Sequence, residues 1–279
     1  DTIGTMSIGE RGVFNAAYEP LLFDVARIPF PAPGREWESV AALERLCAAG
    51  DVAALVLEPL VLGAGGMRMY GAETLARLAG AAQRAGALLI ADEVMTGWGR
   101  TGTLFACEQA GVAPDLLCLS KGITGGSLPL AVTLATPEIF EAHYSEDRRR
   151  TFYHSSSYTG SPVACAAAVA NLEIWDEEPV LERIARVGAL QEAGLARFAG
   201  DPRVAEIRRT GTIAALRLKA REAGYLSEIG PTLYRFFQAR DLLLRPLGDT
   251  LYVMPPYCST EDDLARVYDA IAEAVDAYC

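Results

Sequence analysis

Two residues 29 positions apart, an acid and an amine, have types and settings that suit chemistry. Asp92 ends the apolar run Ala-Leu-Leu-Ile-Ala-Asp over 87–92, and Lys121 follows Asp-Leu-Leu-Cys-Leu-Ser over 115–120. Each run has the length and boundaries of a buried strand. If the strands are parallel neighbours, their C-terminal ends meet at the edge where open α/β sheets bind ligands. An amine there can condense with the aldehyde of pyridoxal 5'-phosphate, and a carboxylate can keep the pyridinium nitrogen protonated. The same lysine can also move a proton at the substrate carbon, more readily if burial lowers its pKa. Spacing alone favours a plainer reading, with Asp92 as a helix cap and Lys121 as a surface lysine.

The flanking residues reverse that preference. Asp92 opens Asp-Glu-Val-Met-Thr-Gly-Trp-Gly-Arg-Thr-Gly over 92–102, and Lys121 lies in Ser-Lys-Gly-Ile-Thr-Gly-Gly over 120–126. Upstream, Glu58-Pro59 leads into Gly63-Ala64-Gly65-Gly66-Met67. Together these resemble the class III aminotransferases, pyridoxal phosphate enzymes of fold type I. Within the class, Gly-Ala-Gly-Gly-Met-Arg-Met-Tyr over 63–70 and Met-Pro-Pro-Tyr over 254–257 are most similar to a branch of biotin synthesis. That branch transfers an amino group from S-adenosylmethionine to 8-amino-7-oxononanoate, giving 7,8-diaminononanoate. The resemblance implies a homodimer whose active sites draw residues from both subunits. The alternatives are another class III activity, such as ω-amino acid with pyruvate, and a fragment incompetent by itself.

The resemblance also assigns roles outside the central pair. Related enzymes have a threonine that reaches the cofactor phosphate of the neighbouring subunit, and Ser157 stands in its place, keeping the hydroxyl. The alternative is an ordinary Ser-rich loop, and His154 beside it reads as a packed histidine. Arg245, after Leu242-Leu243-Leu244, is expected at the end of a strand, holding the substrate carboxylate in the bidentate manner that suits arginine. Tyr252 is expected to line the same pocket. Arg100 is a second candidate carboxylate contact, or else only steadies its loop. Glu58 matches a position that pairs with the Arg245 equivalent in other members, and Glu93 is expected to act from behind the site. The glycines at 63–66 and 125–126 lack the dinucleotide fingerprint and the P-loop lysine order, so they read as tight turns or close backbone approach. Arg148-Arg149-Arg150 reads as a solvated loop.

The elements that must position these residues alternate. A helix is expected over 38–49, a strand over 53–57, a helix over 72–85 and the strand ending at Asp92. Further strands are expected over 115–119 and 130–134. This strand–helix–strand order predicts a mostly parallel sheet flanked by helices. Ser161-Pro162 looks like an N-cap with proline at the first helical position, opening an alanine-rich helix over 163–175. Asp176-Glu177-Glu178-Pro179 marks a junction between a large cofactor-binding domain, 1–178, and a smaller C-terminal α/β domain, 179–279. The second part reads as a helix over 180–199, a strand over 213–218, a helix over 227–239, two short strands and a helix over 261–276.

Composition bounds the partners. The chain has 279 residues, 51% hydrophobic and 22% charged, with a net charge of −11. That charge argues against nucleic acid or an anionic membrane as partner, and no apolar run reaches the roughly 20 residues of a membrane span. Six cysteines show no metal-ligand spacing and no compact disulfide framework, which suits a reducing, cytoplasmic setting without a metal. Cys118 and Cys165 read as small buried hydrophobes. The start, Asp1-Thr2-Ile3-Gly4, reads as a cut. The resemblance places this tetrad inside the large domain. The missing lead-in would carry an aromatic that stacks on the cofactor ring and a turn that binds its phosphate.

Overall fold

A computed structural model describes residues 2–220 and 223–279. Along the chain run helix α1 (Ile3–Ile8), helix α2 (Glu36–Ala49), strands β1 (Ala54–Leu57), β2 (Val61–Leu62) and β3 (Arg68–Met69), helix α3 (Ala72–Arg84), and strands β4 (Leu88–Asp92), β5 (Leu116–Leu119) and β6 (Val132–Ala135). Helices α4 (Pro137–His143), α5 (Pro162–Glu177) and α6 (Val180–Ala196) follow. Strands β7 (Val204–Thr210) and β8 (Ile213–Leu218), helix α7 (Ile229–Gln238), strand β9 (Thr250–Val253) and helix α8 (Glu261–Tyr278) complete the chain.

The first sheet has the order β1-β4-β5-β6. β4 pairs parallel with both β1 and β5, whereas β6 runs antiparallel to β5. The sheet is therefore mostly parallel, with one reversed edge strand. On one side α2 and α3 bury Leu43, Leu78 and Ala82 against Leu55 and Leu89. Alanine and leucine at helical spacing in α3 let that helix lie close to the strands.

The second sheet, β7-β8-β9, is antiparallel. β8 is the pivot of the molecule because both its faces are buried. Ala214, Leu216 and Leu218 pack with Val187, Leu233, Phe237, Tyr268 and Ile271 of the surrounding helices. Ile213 and Ala215 turn the other way, into a core shared with Leu60, Val61, Met67, Ala91 and Cys107. Gln191, fully buried on α6, donates to the carbonyls of Thr212 and Val253 at 2.9 and 3.0 Å and receives the Tyr268 hydroxyl on its side-chain oxygen. Such a buried network stabilises only when its polar groups are satisfied, and here the Gln191 amide meets both carbonyls.

Most expected elements appear within a residue or two of their ranges. Three differ. β7 was not expected, because Glu206, Arg208 and Arg209 break its apolar pattern. The hairpin of β2 and β3 is too short to show a period. Leu242–Leu244 form no strand, since the segment lacks a hydrogen-bonded neighbour along its length. At Ser161 the N-cap position and the following proline are as expected, but the serine side chain makes no cap hydrogen bond. Cys118 and Cys165 are half-buried, and all six cysteines are free. No helix among the described residues is long and apolar enough to cross a membrane.

Candidate active site at the carboxyl edge of the parallel sheet

The register of the sheet brings three chemical groups to one edge. Leu57 lies opposite Ala91 and Asp92 opposite Cys118. Glu58 therefore emerges beside Asp92, and Lys121 lies three residues beyond the Asp92 pairing position. All three leave parallel strands in the same direction, which is the usual ligand edge of an open α/β sheet. Burial pushes the Glu58 carboxyl above the ordinary carboxylate range, and the Asp92 charge adds to that. The Gly63 N–H, donating to Glu58 Oε2 at 2.9 Å, and the positive charge of Lys121 oppose it.

Asp92 is half-buried at the end of β4. Its Oδ1 accepts the Val94 N–H at 3.1 Å, closing a local turn rather than capping a helix. Oδ2 has no hydrogen-bond donor among the described residues, which leaves one carboxylate oxygen for a ring nitrogen. The neighbouring acid behaves differently. Glu93 is fully buried and accepts the N–H groups of Ala106 and Cys107 at 2.7 and 2.9 Å, plus the Thr96 hydroxyl at 3.2 Å. Adjacent carboxylates are tolerated because one is bound by backbone donors and the other faces the ligand edge.

Lys121 opens a single 3-10 turn, Lys121–Thr124, with a left-handed backbone at φ 44°. Backbone bonds from Gly125 to Gly122 and from Gly126 to Lys121, both 3.0 Å, close the turn. The Ser120 hydroxyl donates to the Leu130 carbonyl at 2.7 Å. From α5, the Asn171 amide donates to the Gly122 and Ile123 carbonyls at 3.0 and 3.2 Å. Trp98 packs directly over Gly122. These positioning residues were not singled out from the sequence. The available signal was a lone asparagine amid the alanines of α5. The expectation of a buried lysine is corrected, because the Lys121 residue is exposed. The turn lies beyond the carboxyl end of β5, with α5 packed on it through Asn171.

The other expected site residues are distributed unequally. The guanidinium of Arg100 donates to the Pro255 carbonyl at 2.7 Å and stacks on the Tyr257 ring. Its own carbonyl accepts the Thr212 N–H at 3.0 Å. Tyr257 in turn donates to the Trp98 carbonyl at 2.6 Å. Arg100 and Tyr257 thus tie the loop after β4 to the C-terminal sheet. Tyr252 is half-buried on β9 opposite Ala215, within the shared core. Arg245 is exposed in a segment without strand structure. Glu58 accepts from Gly63 and forms no ion pair with Arg245. Ser157 is exposed in the turn near 157–160, and its hydroxyl makes no hydrogen bond among the described residues. Arg149 pairs with Asp147 and Arg150 bonds the Ala142 carbonyl, as a solvated loop should.

The donor set fits pyridoxal phosphate: an accessible primary amine, a carboxylate with an unused oxygen beside it, and a rigid glycine-rich turn carrying the amine. The comparisons agree. An adenosylmethionine-8-amino-7-oxononanoate aminotransferase of Synechococcus elongatus is 50% identical, across 99% of this chain and 66% of its own length. The corresponding protein of Nitratidesulfovibrio vulgaris is 42% identical, across 99% of this chain and 54% of its own length. The chain thus spans between about half and two thirds of these relatives. The crystal structure of the Methanocaldococcus jannaschii enzyme of that name superposes with a TM-score of 0.92 at 31% identity, over 99% of this chain and 65% of that one. An ω-transaminase of Pseudomonas jessenii in complex with PMP superposes at 0.87 with 28% identity, over 99% and 65%. These likenesses accord with fold type I. The class III aminotransferase family profile matches residues 1–275, and the chain belongs to that family.

Proposed function

We propose that this chain supplies the lysine and aspartate centre of a pyridoxal phosphate-dependent aminotransferase. The proposed reaction takes the amino group of S-adenosylmethionine to 8-amino-7-oxononanoate, giving 7,8-diaminononanoate for biotin synthesis. The observation that carries the chemistry is the placement of Lys121 and Asp92 at adjacent C-terminal ends of parallel β4 and β5. The choice of substrates rests on the names of the relatives at 50% and 42% identity. When bound, the cofactor supplies an electron sink and a temporary carrier for the amino group.

In this reading Lys121 Nζ would hold the cofactor aldehyde, and its amine would move the proton at the substrate carbon. Asp92 would hold the ring nitrogen through Oδ2, its Oδ1 being engaged by the Val94 N–H. Glu93, Asn171 and Trp98 hold the two strand ends still. Ser157 contributes a hydroxyl to the cofactor phosphate of a second subunit. Arg245 would hold the substrate carboxylate and Tyr252 would line the pocket, and Arg100 acts mainly by steadying the loop after β4. Residues 1–178 form the cofactor-binding domain and 179–279 the smaller one.

A homodimer is part of the same proposal. Around the Ser157 loop and the start of α5, Tyr153, Tyr158 and Val163 are 76%, 84% and 70% exposed, and Phe140 of α4 and Val169 of α5 are exposed as well. Large exposed apolar side chains of this kind favour a protein contact, and a second copy there would also shelter Ser157. A cytoplasmic setting accords with six free cysteines. The test is product formation from a panel of amino donors. With pyridoxal phosphate present, S-adenosylmethionine and 8-amino-7-oxononanoate should give 7,8-diaminononanoate. Product only from ω-amino acids with pyruvate would replace the substrate assignment.

A further inference from the structure

On the other side of the β2–β3 hairpin lies a cavity of about 530 Å³, lined by the small sheet and the hairpin tip. Glu206 and Arg208 share one face of β7, and Arg217 of β8 lies opposite Glu206. Arg68 closes the rim from β3, stacked over Phe30 at 3.7 Å. The Arg208 side chain is only 10% exposed. Its Nε is 3.6 Å from Glu206 Oε1, beyond hydrogen-bond range, and its Nη2 has no partner among the described residues. A buried guanidinium with unused donors carries a desolvation cost that a hydrogen-bonded anion would offset. Glu206 is divided between Arg208 and Arg217, the latter at 3.4 Å. Buried Asp249 accepts the Thr250 hydroxyl at 3.3 Å. Among the described residues three guanidinium groups therefore face two carboxylates, and the rest of the wall includes Phe30, Met69, Tyr225 and Leu247.

We propose that Arg208, assisted by Arg217 and Arg68, forms a binding site for a small organic oxyanion, a carboxylate or phosphate monoester with an apolar body. The planar fork of arginine matches the two oxygens of such a head group. The volume lies in the range of small-molecule sites and exceeds what a bare inorganic ion would fill. The apolar wall receives the body of the ligand. The site is separate from the Lys121 edge and does not depend on the aminotransferase reading.

Isothermal titration of the 279-residue chain with phenyl phosphate and with benzoate, at constant ionic strength, tests this. Saturable one-to-one binding of either probe is expected, and the stronger one identifies the head group. Arg208→Met should weaken binding at least about tenfold, the scale of a lost charge-assisted pair. Glu206→Gln should tighten it by freeing both arginines, and Lys121→Ala should leave it unchanged. If Arg208→Met does not fold, Arg217→Gln, at a half-exposed position, should weaken binding in its place. No binding of either probe, affinity indifferent to the Glu206 and arginine variants, or binding lost in Lys121→Ala would overturn the proposal.

Discussion

The indole of Trp98 occupies the space where a side chain on Gly122 would stand: a β-carbon there would lie 2.5 Å from Trp98 Cβ and 2.7 Å from Cγ. Trp98 itself has a left-handed backbone, φ 60°, as does Lys121. The residue after the lysine is therefore fixed by packing from the loop that follows Asp92, so the two strand ends are locked together. Gly122→Ala should destabilise the fold by about 1–3 kcal/mol, the usual range for overpacking a filled site. Denaturant unfolding followed by tryptophan fluorescence would show it, and the native emission of Trp98 should shift as the indole is displaced.

Asn171 makes a second claim on the same turn. Replacing it with alanine removes the donor to the Gly122 and Ile123 carbonyls and should cost about 1–2 kcal/mol. Cofactor retention should fall further than global stability does, because the loss is local to the lysine turn. Equal retention by Asn171→Ala and the parent chain would show that α5 does not position Lys121.

The raised Glu58 carboxyl has a defined effect on stability. Its folded pKa lies above the unfolded one, chiefly through burial. The native state therefore holds this proton more tightly. The group's contribution is full below the unfolded pKa and declines as pH rises through the folded value. Glu58→Gln removes that decline while its amide oxygen still accepts the Gly63 N–H. Relative to the parent chain, the variant should gain stability between pH 4 and pH 7, measured as the difference of unfolding free energies at the two pH values. A variant that loses ground over that interval would reverse the assigned sign.

Thiol reactivity should separate the cysteines sharply. Cys107 is buried, and its thiol is pushed far up by burial and by the Glu93 carboxylate beside it. Cys258 is exposed. Iodoacetamide should label Cys258 in the native chain and modify Cys107 at least about a hundredfold more slowly, through local opening. Comparable rates would mean that the shared core between the two sheets is not closed.

Much of the central site was legible because it depends on local pattern. The apolar runs over 87–92 and 115–120 form adjacent, partly buried strands, and the parallel relation of β1 and β4 follows from the helix between them. The antiparallel edge of β6 was not legible, since the loop between β5 and β6 has no helix to reveal its direction. β7 was hidden because Glu206 and Arg208 face a cavity while Arg209 pairs with Glu192 of α6, so no apolar alternation is left. The role of Arg100 depends on residues 155 positions away, and no periodicity encodes such a contact. The exposure of Lys121 likewise follows from what packs over the sheet edge, not from the strand that delivers it.

The central claim is that Lys121 carries the cofactor, and borohydride reduction in the presence of pyridoxal phosphate, followed by peptide mass spectrometry, tests it most directly. A phosphopyridoxyl group is expected on the Lys121 peptide, absent from Lys121→Ala and reduced in Asp92→Asn. A stable adduct on Lys219 instead, or none on a chain shown to be folded, would contradict it.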